Sequence, residues 1–134
     1  MLNLRVPASP SAVMEAIDAL RTFCSEQDAP LEVSQELSVA LEEILANVVN
    51  HGYEGDASQT AVVTAQRDGQ SLVVEVRDRA KAYNPLDAPE PDLESDLDDR
   101  PIGGLGMHIV RSFMDELDYE RRDGENCVTF RKSW

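Results

Sequence analysis

Residues 37–53 read LSVALEEILANVVNHGY, and their spacing decides how the rest of the chain is read. Leu37, Leu41, Ile44 and Val48 recur at helical intervals and fall within a sector roughly 60° wide. That stripe predicts a helix over about 31–49 with its apolar face in a core. Glu43 and Asn47 are four residues apart and share a second face, about 100° round the helix, with Glu36 and Asn50 on the same side. A carboxylate and an amide at that spacing suit a hard cation completed by waters, or a proton transfer. An ordinary solvated helix face has the same pattern, and spacing alone does not separate these readings.

Upstream, Leu2, Leu4 and Val6 alternate as in a strand. Ser9-Pro10 then reads as an N-cap with proline in the first turn. Val13, Ile17, Leu20 and Cys24 follow at helical spacing, so a first helix is expected over 10–26. Downstream, TAVVTAQR and SLVVEVR are strands joined by Asp68-Gly69-Gln70, a hairpin signal. Residues 79–102 hold four prolines and many acids without periodicity, as in a long loop or lid. Gly103, Gly104 and Gly106 then open a third helix ending near Glu116. Glycines at a helix start let an anion approach unpaired N–H groups at the positive end of the helix dipole. A hinge would also explain them. No Lys-Ser/Thr follows, so this is not a Walker loop. Two more strands, turning at Asp123-Gly124, complete an order of strand, two helices, two strands, loop, helix, two strands. Clustered elements without βαβ alternation imply an α+β two-layer sandwich, a mixed and mostly antiparallel sheet covered on one face by about three helices.

The bulk numbers limit function. The chain has 134 residues, which suits a single domain, 1–134. Its net charge of −14 repels a phosphate backbone, so nucleic acid is not expected as a direct partner. Cys24 and Cys127 form no metal spacing and read as buried thiols rather than a disulfide, as in a reducing cytoplasm. No apolar run approaches membrane-spanning length, and a cytoplasmic location is expected.

Taken together, these segments resemble the GHKL ATPase family (the Bergerat fold), closest to its RsbW-type anti-sigma factor serine/threonine kinases. LSVALEEILANVVNHGY is similar to the family's N box, which implies that Glu43 is the general base and that Asn47 holds magnesium. VRDRAKAYNP resembles the box whose Asp reads the adenine amino group, a role falling on Asp78, with Tyr83, Asn84 and Pro85 matching its end. RPIGGLGMHIVRSFMDE resembles the glycine box after the ATP lid. It implies phosphate contacts at Gly104, Gly106 and the following N–H groups, that of Met107 first. A further position near adenine falls on Asn126. The resemblance implies ATP and Mg2+ as cofactors. It also implies a STAS-domain anti-anti-sigma protein as phosphoacceptor, a sequestered sigma factor and a homodimer. Residues 86–100 become the ATP lid, with Arg100 as its basic residue.

Ala80 departs from the pattern, because the family has glycine there. A positive φ at Ala80 would cost roughly 1 kcal/mol or more, and its methyl would press towards the purine. That substitution supports an alternative, a GHKL-fold binding module that sequesters a partner without using ATP. A sensor histidine kinase fragment fits poorly, since His51 and His108 do not lie in a phosphoacceptor-like helix.

Overall fold

Ser9 begins the helical layer as its spacing predicts. Its side chain accepts the Ala12 N–H at 3.3 Å, and Pro10 follows at the first helical position. The computed structural model describes residues 1–87 and 104–134. Most of the expected lid, residues 88–102, lies outside the described residues, as do Arg100 and Gly103.

The elements are β1 (Leu2–Pro7), α1 (Pro10–Glu26), α2 (Leu31–Asn47), β2 (Thr60–Asp68), β3 (Ser71–Asp78), α3 (Gly104–Phe113), β4 (Glu116–Arg122) and β5 (Glu125–Ser133). A π-helical turn, Val48–Gly52, extends α2, and a single 3-10 turn covers Pro85–Asp87. Helix α1 ends where Asp28 takes a left-handed conformation, with φ 57°. Between β4 and β5, Asp123 and Gly124 both have positive φ, which is the requirement of a tight two-residue hairpin turn.

The strands form one sheet in the order β1-β2-β3-β5-β4. Every neighbouring pair of described strands is antiparallel, so the expected mixed sheet is corrected to a fully antiparallel one. The reason is topological. The excursion through α3 does bring β4 parallel to β3, but β5 inserts between them and pairs antiparallel with both.

Helix α2 packs against α1 on one side and α3 on the other. Its apolar stripe meets the inner sheet face: Leu37, Leu41, Val63, Leu72, Val74 and Phe130 are wholly buried. Each such side chain stabilises the fold by about 1.5–3 kcal/mol relative to exposure. The opposite sheet face is polar and carries ion pairs, such as Arg77–Glu75 at 3.2 Å and Arg122–Glu120 at 3.4 Å. Both cysteines are buried and unpaired, as expected.

Candidate functional site

The π turn after α2 sets the geometry of the site. It swings the chain so that Tyr53 lies under the end of β3. There its hydroxyl donates to the Thr60 carbonyl at 2.9 Å and accepts the Arg79 N–H at 2.7 Å. Between α2 and the ends of β3 and β5 a narrow cleft opens. Ile44, Val48, Pro85 and Val128 form apolar walls. Asn47, Asp78, Asn126, Lys81 and Tyr83 supply polar groups. Apolar walls with a few placed polar groups are the usual form of a small-molecule site.

Asp78 is 6% exposed and Asn126 3% exposed. They are paired across the sheet, and the Asn126 Nδ2 donates to Asp78 Oδ1 at 2.9 Å. The Ala80 N–H donates to the same oxygen, also at 2.9 Å. Among the described residues nothing donates to Asp78 Oδ2, so the carboxylate has one oxygen closed and one available. Asn47 lines the same cleft, and its amide likewise has no partner among the described residues.

Ala80 answers the concern raised by its methyl. It has no positive φ. Its methyl is buried and turned onto the π turn, where a side chain at Gly52 would come within 3.0 Å of it. Ala80 does not line the cleft. The strain is absent, and the methyl packs against Gly52, itself one of the residues that line the cleft.

Glu43 sits elsewhere on the groove. It is half-buried, and its carboxylate packs so closely on Gly106, in the first turn of α3, that a side chain there would collide with it. Burial pushes the Glu43 carboxyl above the ordinary range and the Glu42 charge adds to this, while His51 opposes it. Gly104 begins α3, so the first N–H groups of that helix open beside Glu43. Met107 is buried in the core, and its phosphate role could only be through its N–H.

The polar stripe of α2 does not stay together. Glu36 pairs with Lys132 at 3.0 Å, and the Lys132 ammonium also donates to the Phe113 carbonyl at the end of α3. Glu36 lies about 10 Å along the helix from Glu43, two turns back. Asn50 is exposed, because the wider π turn rotates it away from the α-helical register. Sequence reasoning missed Gly52, Lys81, Tyr119 and Arg121. Only strand register brings the last two near the site.

Nothing among the described residues forms a group of three or more His, Cys, Asp or Glu that could hold a metal. Among them, no helix is long and apolar enough to cross a membrane.

Comparison with known proteins agrees with this geometry. Residues 6–132 match the histidine kinase-like ATPase domain. Over 93 residues the chain is 33% identical to the serine/threonine-protein kinase BtrW of Bordetella bronchiseptica, a match covering 69% of this chain and 66% of that protein. It is 31% identical over 118 residues to the anti-sigma F factor of Clostridium acetobutylicum, covering 83% and 77% of the two chains. In fold it is similar to the crystal structure of the RsbU and RsbW domains of a Mycobacterium tuberculosis protein. That match has a TM-score of 0.70 at 18% identity and covers 98% of this chain and 31% of the other. It is also similar to the SiaB-SiaC complex of Pseudomonas aeruginosa, with a TM-score of 0.66 at 17% identity and coverage of 100% and 89%. The chain therefore belongs to the histidine kinase-like ATPase family, among relatives that include an anti-sigma F factor and a serine/threonine-protein kinase.

Proposed function

We propose that this protein is an ATP-dependent serine/threonine kinase that phosphorylates a STAS-domain anti-anti-sigma protein and otherwise sequesters a sigma factor, acting as a cytoplasmic homodimer. The strongest support is one convergence. Asn47 and Asp78 line a single apolar-walled cleft, and Glu43, four residues before Asn47, lies against the glycine turn that opens α3.

In this reading the purine enters between Ile44, Val48 and Val128, and Asp78 Oδ2 accepts its amino group. The phosphates extend towards the N–H groups of the first turn of α3, at Gly104, Gly106 and Met107, where the helix dipole favours negative charge. Gly106 is needed because any side chain would occupy the space of the Glu43 carboxylate. Asn47 offers an amide oxygen with no partner among the described residues, suited to Mg2+, an ion that keeps most of its waters and takes few protein ligands. When bound, the ion would neutralise charge on the triphosphate. Glu43 accepts the proton of the partner's serine or threonine hydroxyl. Its raised pKa brings it closer to the pKa that a base working near neutrality needs. Catalysis beyond that is positioning and charge stabilisation.

The binding-module alternative rests on Ala80, which here has no positive φ and packs its methyl against Gly52. The test is transfer of labelled γ-phosphate from ATP to a purified candidate STAS-domain protein. Transfer that disappears in Glu43→Ala supports the kinase. Partner binding that ignores nucleotide, without transfer, supports the module instead.

A further inference from the structure

Asp78, Asn126 and Arg121 lie in one row across β3, β5 and β4, since Asp78 pairs with Asn126 and Asn126 with Arg121. Tyr119 is two residues from Arg121 and so projects from the same face of β4. These four residues form one hydrogen-bond network. The Tyr119 hydroxyl donates to Asn126 Oδ1 at 2.6 Å, and the Tyr83 N–H joins it there at 3.2 Å. The Asn126 Nδ2 group donates to Asp78 Oδ1 and to the Lys81 carbonyl, both at 2.9 Å. An amide side chain has two donor hydrogens and two acceptor sites, so Asn126 is fully used. It has nothing left to offer a ligand. Reversing it would set its oxygen against a carboxylate and a carbonyl. The other donor to Asp78 Oδ1 is the Ala80 N–H, and the carbonyl of Ala80 is held by Arg121 Nη1 at 2.8 Å.

Both groups that close Asp78 Oδ1 are thus secured from the edge strand β4, Asn126 by Tyr119 and Ala80 by Arg121. We propose that Tyr119 and Arg121 are positioning residues for base recognition, holding the Asp78 carboxylate so that its free oxygen alone faces the cleft and selects a ligand carrying an exocyclic amino donor. This rests on reading the cleft as an ATP site. Neither residue touches the ligand. Each acts through a residue that holds Asp78.

The test is calorimetric titration of the full-length protein and of Tyr119→Phe and Arg121→Met. Two ligands are compared, Mg-ATP and Mg-purine riboside triphosphate, which lacks the 6-amino group. Arg121 is exposed, so its replacement keeps the test open if Tyr119→Phe does not fold. The wild type is expected to prefer ATP over the analogue by about tenfold or more, as for a hydrogen bond to a charged acceptor. Each variant is expected to lose about threefold to tenfold in ATP affinity while binding the analogue within about twofold of wild type. Equal losses for both ligands would show a merely structural role and overturn the proposal. So would variants that keep the wild-type preference for ATP. A wild type that binds neither triphosphate, or binds both alike, would instead overturn the ATP reading of the cleft.

Discussion

The two ends of the groove are built by different means. At the Asp78 end, a carboxylate is fixed by two donors, Asn126 and the Ala80 N–H, and those donors are themselves fixed by Tyr119 and Arg121. At the Glu43 end there is no such network among the described residues. Position there comes from close packing of a carboxylate on a bare glycine. A hydrogen-bonded end gives directional recognition and tolerates small changes in volume. A packed end sets position by contact, so an added atom displaces the carboxylate, but it leaves that carboxylate chemically free, with a raised pKa. Recognition and proton transfer make just these separate demands.

The largest effect should come from the packed end. Glu43→Gln is expected to lower phosphotransfer by about a hundredfold or more while Mg-ATP still binds, measured by single-turnover transfer beside calorimetry. The same variant sharpens the pH argument. A carboxyl whose folded pKa is raised loses stability as pH rises from its unfolded pKa through the folded one. Above that window the wild type carries the full penalty, and Glu43→Gln should melt higher. The advantage should vanish below the ordinary glutamate range. Wild-type transfer should fall as acid protonates Glu43, with a midpoint above that range.

Gly106→Ala comes next. Its methyl meets the Glu43 carboxylate, the end of a flexible, half-buried side chain that can swing aside, so phosphotransfer should fall as the base is displaced while the melting temperature changes little. At the hydrogen-bonded end, Asp78→Asn should weaken ATP binding by about tenfold or more in calorimetry, because a charged acceptor is lost. The smallest effect should be at Ala80. Restoring glycine there should change ATP affinity by less than about twofold, because the methyl is buried against Gly52 and Ala80 has no positive φ to relieve. A large gain in affinity for Ala80→Gly would break the comparison, since it would mean that the methyl does obstruct the base.

The packed end was the more legible in sequence. Glu43 and Asn47 share a helix, so their common face follows from a spacing of four, and the glycines announce α3. Helix α1 and both hairpin turns were legible for the same reason, since caps and turns are local chemistry. Asp78 is marked in the sequence only through the resemblance of VRDRAKAYNP to the adenine-reading box. Tyr119 and Arg121 were not legible. Arg121 lies 41 positions from Ala80, and Tyr119 acts on Asp78 only through Asn126, so it is the placement of β5 between β3 and β4 that brings both near Asp78. The scattering of the α2 polar stripe was hidden too, because five residues of π turn break the α-helical phase that put Asn50 beside Asn47. The position of Ala80 depended on Gly52, twenty-eight residues earlier, and no spacing rule links the two.

The most direct test of the central claim, that the cleft between α2 and β3 is an ATP site read by Asp78, is titration of the purified protein with Mg-ATP alongside Asp78→Asn. Submillimolar binding by the wild type, clearly weakened in a folded Asp78→Asn, is the expected result. Absence of binding heat at high nucleotide, or equal affinity in the two proteins, would contradict it.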